Sequence, residues 1–279
     1  MPPEQQDQHQ QFEALQRYLS KPGGGREDPE PAGPPRDGHR RLPWRWGVVA
    51  LAAAVAVASA LIGRAIGSGP SGCATDHPAP NAVVVGDSMS TVTAPAGPNI
   101  AFPLTAARLL GWQVQVVAHP GTGFTTPDGR GPGQPSFAST VDCVVEADPR
   151  IVIVALGSDD ATSGGAANVE PKAAEGLSAL HRRLKGAQIV AVGPLPSGGE
   201  PPPALRTVRD AVRAAAQAAH VEFIDPLAEG WVSGDRTDPA SGNANQMISA
   251  DGRHLTPAGH AYVGLRLATE LSRLGLSSR

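Results

Sequence analysis

Apolar and polar positions divide this chain into three regimes. Residues 1–46 scatter a few apolar side chains among Gln, Pro, Gly and charged residues. Residues 47–66 are apolar almost without interruption. From residue 81 onward, short β-branched runs alternate with stretches of helical period. The runs fall at 82–85, 113–118, 151–156, 188–192 and 221–224. Helical patterns fall between them, at 103–110, 137–147, 169–184 and 203–220, and a last one spans 257–274. Strands that read as continuous apolar runs, each separated by a helix, predict a parallel sheet covered on both faces. The expected fold is therefore three-layer α/β/α, doubly wound and flavodoxin-like. No internal repeat breaks the alternation.

The first two regimes carry their own predictions. Residues 11–19 (QFEALQRYL) place Phe12, Leu15 and Leu19 on one face of a short amphipathic helix. Residues 21–43 are rich in Pro, Gly and charge, too polar to bury a core, and read as a disordered tail. The apolar run is preceded by Arg40, Arg41 and Arg45, followed at its end by Arg64, and entered through Trp44 and Trp46. Arginines on one flank and interfacial tryptophans are the marks of a membrane span with its N-terminus in the cytoplasm. A cleaved signal peptide is the alternative, but such segments start near the N-terminus and this one starts late. The predicted organisation is a cytoplasmic tail (1–46), a single transmembrane helix (47–66), a Gly/Ser/Pro linker (67–80) and an extracytoplasmic domain (81–279).

Composition narrows the function. The 279 residues carry a formal net charge of -3, and no stretch after the tail is strongly basic, which argues against nucleic acid as the partner. The two cysteines, Cys73 and Cys143, form no C-x-x-C pair, which excludes a zinc ribbon or a thioredoxin-type motif. Outside the cytoplasm a Cys73–Cys143 disulfide would persist, and two unpaired thiols are the other open reading. His77, His119, His181, His220 and His260 lack metal-ligand spacing. There is no P-loop, and no G-x-G-x-x-G follows a strand, so nucleotide binding is unsupported. No metal or cofactor is expected.

The chemistry concentrates at the two ends of the domain. Val83-Val84-Val85 closes in Gly86-Asp87-Ser88, a buried strand that stops at a glycine turn. Ser88 then lies at the carboxyl end of a strand, where open parallel sheets bind ligands. Near the C-terminus, Asp251-Gly252-Arg253-His254-Leu255-Thr256-Pro257 places an acid and a histidine just before an N-cap threonine and a first-turn proline. A tight turn there brings the Asp251 carboxylate to one ring nitrogen of His254 and leaves the other to take a proton from a serine. The G-x-S-x-G nucleophile turn of α/β-hydrolases is absent around Ser88.

These two blocks resemble the SGNH, or GDSL-type, hydrolase superfamily. The first block is matched by Gly86-Asp87-Ser88 and the last by Asp251 to Gly259, over a domain from about Asn81 to the end. The resemblance implies acyl-ester hydrolysis through a Ser88–His254–Asp251 triad. It further implies an oxyanion hole built from Ser88, a glycine after the second strand and an Asn side chain after the third. Gly123 aligns best with the glycine, with Gly121 as runner-up. The Asn position is occupied by Asp159, in Gly157-Ser158-Asp159-Asp160. An ionised carboxylate donates nothing to an oxyanion, and loss of one such donor costs about 2.7–4 kcal/mol. Three outcomes are open: a proton on Asp159, sufficiency of the backbone donors, or a domain that binds without catalysing. Asp87 and Trp231 are the candidates for substrate contact, and His119 sits near the oxyanion loop. The polar segment 227–250 is expected to form either a rim or lid, or a floppy insertion, and 193–199 to form a rim loop. The expected substrate is an ester of a lipid or an acylated saccharide in the cell envelope. Acyl transfer to an acceptor hydroxyl is the alternative, and oligomeric state is not legible.

Overall fold

The computed structural model describes residues 81–91, 101–125 and 136–276. The tail, the apolar run and the linker lie outside these residues. Among the described residues no helix is long and apolar enough to cross a membrane. The chain runs β1 (Ala82–Gly86), a 3-10 turn (Ser88–Ser90), α1 (Phe102–Leu110), β2 (Val114–Ala118), α2 (Phe137–Glu146) and β3 (Ile151–Ala155). It continues through α3 (Ser158–Ser163), α4 (Val169–Arg183), β4 (Gln188–Val192), α5 (Pro203–Ala218), β5 (Glu222–Ile224), α6 (Ala244–Met247) and α7 (Pro257–Arg273). Every strand and long helix matches a predicted one to within a few residues. The short α3 and α6, made of polar and small residues, carry no periodic signal and have no counterpart in the pattern.

The five strands are all parallel, in the order β2-β1-β3-β4-β5. This is the flavodoxin-like order, in which the chain reverses direction across the sheet between β1 and β3. Side chains alternate faces along a strand. Val83 and Val85, Val152 and Val154, and Ala191 enter one core with Phe137, Val144, Leu177, Leu180, Val208 and Val212 from α2, α4 and α5. Their neighbours Val84, Ile153, Val190 and Val192 face the other way and are equally buried. Burial on both faces explains why the strands read as unbroken apolar runs.

Outside that cluster, α1 packs against α7. A Cβ on Gly264 would come within 2.6 Å of the Thr105 Cβ, so the close approach depends on glycine. The two helices also share a polar contact. The first N–H groups of a helix have no partner of their own, and Ala101 offers α1 no side-chain cap. Nδ1 of His260, buried in the first turns of α7, accepts from the Phe102 N–H at 3.3 Å, and the ring stacks on Phe102. Burial, then the nearby His254, pushes the His260 pKa down to about 4.

Between pH 6.5 and about 4 the unfolded chain takes up a proton that folded His260 refuses. Stability therefore falls as pH falls through that window, by roughly 3 kcal/mol when complete. His260→Gln removes the titration. Urea unfolding at pH 7 and pH 4 is expected to show the wild-type advantage over this variant shrinking by roughly that amount.

Candidate active site

Ser88 is placed by the sheet. Gly86 pairs with Ala118 on one side and Ala155 on the other, so the loops after β1, β2 and β3 leave the sheet at one level. The turn after β1 folds back tightly: a Cβ on Gly86 would lie 2.0 Å from the Ser90 Oγ. Asp87 Oδ1 accepts from the Met89 N–H at 2.8 Å and caps the 3-10 turn that carries Ser88. Ser88 itself is 7% exposed.

The other half of the site comes from the loop before α7. Thr256 caps that helix by accepting from the Gly259 N–H at 2.9 Å, and a single antiparallel bridge joins Ile248 to Leu255. Between them the chain turns so that Asp251 Oδ2 lies 2.6 Å from His254 Nδ1. His254 Nε2 reaches Ser88 Oγ at 3.1 Å, across 166 positions of sequence. Asp251 Oδ1 accepts from Ser249 Oγ at 2.5 Å and from the N–H groups of Arg253 (2.8 Å) and His254 (3.0 Å). The hydrogen bond from Ser249, followed by those from His254 and Arg253, holds the Asp251 carboxyl far below the usual range. Asp251 therefore stays ionised at any working pH. It can fix the tautomer of His254 with Nδ1 protonated and Nε2 free toward Ser88.

The loop after β2 meets the start of α3. Asp160 accepts from the N–H groups of Phe124 and Thr125, each at 2.8 Å, and from Thr125 Oγ1 at 2.6 Å. A Cβ on Gly123 would lie 2.3 Å from Asp160 Oδ2. Glycine is thus required at 123 by the approach of this carboxylate. The backbone N–H groups of Ser88 and Gly123 donate to no acceptor among the described residues. They are available to an oxyanion.

Asp159 is 5% exposed, and its Oδ1 takes an ion-paired hydrogen bond from the Arg253 guanidinium. Its Oδ2 is buried without a hydrogen-bond partner among the described residues. Burial raises the Asp159 pKa, and Asp160 raises it further. Arg253 is the strongest opposing influence, with smaller ones from His254 and the Gly121 N–H. Asp87 feels the same cluster: burial first, then Asp159, pushes its carboxyl up to about 7.

Two expected substrate contacts are corrected. Trp231 is 0% exposed; its Nε1 donates to Glu229 at 2.7 Å and Arg266 lies over its ring, so it is a core residue under the polar segment. Asp87 is 1% exposed and committed to the Met89 cap, so it supports Ser88 from behind. The polar segment carries hydrogen bonds of its own and to a neighbouring loop. Asn243 bridges the Ser233 N–H and the Trp231 carbonyl, and Gly199 donates to the Gly234 carbonyl at 2.7 Å, tying it to the loop after β4. Cys143 is disulfide-bonded, and Cys73, outside the described residues, is the only other cysteine of the chain. Sequence reasoning passed over Ser249 and Arg253. The signal for Arg253 was present: a cation inside the D-x-x-H turn, facing an acidic pair elsewhere.

A hydroxyl set against an imidazole, at the carboxyl edge of a sheet in flavodoxin order, places this protein among the SGNH-type hydrolases. The chain belongs to the GDSL-like lipase/acylhydrolase family, whose model matches residues 84–262. It is 36% identical over 94 residues to GDSL lipase Rv0518 of Mycobacterium tuberculosis. That match covers 34% of this chain and 36% of the relative. Among solved structures, a lipase/acylhydrolase from Enterococcus faecalis superposes with a TM-score of 0.50 at 16% identity, covering 70% of this chain and 96% of its own. A family two carbohydrate esterase from Clostridium thermocellum, in complex with cellohexaose, gives 0.54 at 17%, covering 73% and 67%. The salicylyl-acyltransferase SsfX3 of a tetracycline biosynthetic pathway gives 0.53 at 16%, covering 73% and 58%.

The raised Asp87 pKa has a consequence for stability. Folded Asp87 keeps its proton between pH 3.8 and about 7, where the unfolded chain has lost it. Its stabilising contribution is complete below that window and is lost as pH rises through it. Asp87→Asn keeps the oxygen that accepts from Met89 and cannot ionise. From pH 4 to pH 8 its stability relative to wild type is expected to rise by several kcal/mol, of order 4, in paired denaturant titrations.

Proposed function

We propose that this protein is a serine esterase in which Ser88 is the nucleophile, His254 the general base and acid, and Asp251 the group that orients His254. The observation that carries the reading is the continuous line Asp251–His254–Ser88, with links of 2.6 and 3.1 Å. Nε2 of His254 takes the Ser88 proton as Oγ attacks the ester carbonyl. The carbonyl oxygen becomes an oxyanion that accepts from the N–H groups of Ser88 and Gly123. The imidazolium then returns its proton to the alcohol oxygen as the C–O bond breaks, leaving Ser88 acylated. Water, deprotonated by His254, attacks the acyl carbon, and Ser88 leaves with the proton.

The expected substrates are small or carbohydrate-borne acyl esters. Fold neighbours include a carbohydrate esterase and an acyltransferase. The second reading, transfer of the acyl group to an acceptor hydroxyl, uses the same acyl-enzyme with an alcohol in place of water. Product analysis with and without a polyol separates the two. We further propose that residues 47–66 anchor the domain on the outer side of a membrane. The arginine-flanked apolar run and the disulfide at Cys143 support this.

The full-length chain in detergent is expected to hydrolyse p-nitrophenyl acetate and to label at Ser88 with a fluorophosphonate. Ser88→Ala should abolish both, and His254→Ala should lower kcat at least about a thousandfold. Absence of turnover together with absence of Ser88 labelling would sink the esterase reading.

A further inference from the structure

The negative charge that forms on the substrate carbonyl develops in an unfavourable place. Asp87, Asp159 and Asp160 are all buried at this end of the sheet, and Asp159 raises the proton affinity of Asp87. The backbone N–H groups of Ser88 and Gly123 have no acceptor among the described residues and are available to that charge. Among the described residues, one cation acts on both Asp87 and Asp159, and it is Arg253. Its backbone is tied into the site, because its N–H donates to Asp251 and it directly precedes His254. Its guanidinium is tied as well, to Asp159 Oδ1, a residue 94 positions away. Yet the side chain remains 48% exposed. A guanidinium has five N–H donors, and Asp159 is its one side-chain partner among the described residues.

We propose that Arg253 is the third oxyanion donor of this enzyme, with Asp159 acting as the tether that holds the guanidinium over Ser88. The inference rests on the esterase reading and adds a residue to it. An ionised Asp159 could only repel an oxyanion. Joined to Arg253 it becomes one half of a neutral unit whose exposed half donates hydrogen bonds and carries positive charge. Such a unit is stronger than a neutral amide, because hydrogen bonds from an ionised donor are roughly twice as strong. No covalent bond to Arg253 is made or broken. The guanidinium keeps its protons, and the oxyanion it accepts into its field collapses when the leaving group departs.

The arrangement differs from its rival, a protonated Asp159 donating through its own O–H. In the rival, Arg253 works against the proton, and its removal should leave activity intact or raise it. In the present reading its removal leaves a buried carboxylate uncompensated beside the developing charge.

The test is a cycle in the full-length chain on p-nitrophenyl acetate, with wild type, Arg253→Ala, Asp159→Asn and the double variant. Arg253→Ala is expected to lower kcat by roughly a hundredfold with KM little changed, the size of one lost oxyanion donor. Asp159→Asn supplies an amide donor, so in that background Arg253→Ala should cost less than about tenfold, a coupling a merely structural ion pair would not place in kcat alone. Added guanidinium ion at non-denaturing concentration should raise the kcat of Arg253→Ala and leave that of the double variant unchanged. Arg253→Lys, which keeps charge and donors, covers the case in which the alanine variant folds poorly, and should retain more than about a tenth of wild-type kcat. An Arg253→Ala variant that keeps wild-type kcat overturns the proposal while leaving the esterase reading in place. So does an Arg253→Ala loss as large in the Asp159→Asn background as in wild type. A wild-type chain with neither turnover nor Ser88 labelling overturns both.

Discussion

Both oxygens of the Asp160 carboxylate are committed to the loop after β2, through the N–H groups of Phe124 and Thr125 and the Thr125 hydroxyl. A buried carboxylate is tolerated only when its lone pairs are met in this way. The requirement works in reverse on the loop. It must pass close to α3, it must carry glycine where the carboxylate presses on it at Gly123, and it must turn its next two N–H groups inward. Phe124 is then delivered into the core, edge-on to Phe137 at 5.1 Å. One side chain thereby couples the loop after β2, the start of α3 and the hydrophobic core. The N–H of Gly123, without an acceptor among the described residues, is held in position by bonds made one and two residues later.

Around Ser88, like charges are kept apart by local chemistry. Asp251 is stabilised as an anion by four hydrogen-bond donors within its own turn. Asp87 is pushed toward its neutral form by burial, its carboxyl raised to about 7. Asp159 is met by a guanidinium. Three carboxylates within one end of a sheet are thus handled by three different means, each decided by what stands nearest. Burial drives Asp87 and Asp159 toward the neutral form, whereas Asp251 is half exposed and its local donors favour the anion.

Much of this was legible in the sequence because it rests on periodic patterns and on short motifs with local geometry. Val83–Val85 and Ile151–Val154 announced buried parallel strands. Thr256-Pro257 announced where α7 begins, and with it the placement of Asp251 and His254. What was not legible depends on contacts between distant segments. Nothing near Trp231 shows that Arg266, far along the chain, will lie over its ring. The need for glycine at 123 comes from a carboxylate far along the chain, at Asp160, and no local pattern shows it. His260 looked like one histidine among several until α1 was seen to start against it. Arg253 is the sharpest case: its meaning depends on Asp159, and the pairing is set by sheet order rather than by spacing.

Asp251 and His254 belong to a single short turn, and the hydrogen bonds to Asp251 come from within that turn. Its acid, its ring and two of its backbone N–H groups form one hydrogen-bonded unit, flanked by the Ile248–Leu255 bridge and the Thr256 cap and tied to Asp159 through Arg253. Ser88 sits at the end of β1, far away in sequence. The 2.6 Å link between acid and ring is made within a few residues, whereas the 3.1 Å link between ring and hydroxyl spans the fold. Acid and ring come as one preassembled piece of chain, and what the whole fold has to supply is the distance over which the proposed proton transfer runs.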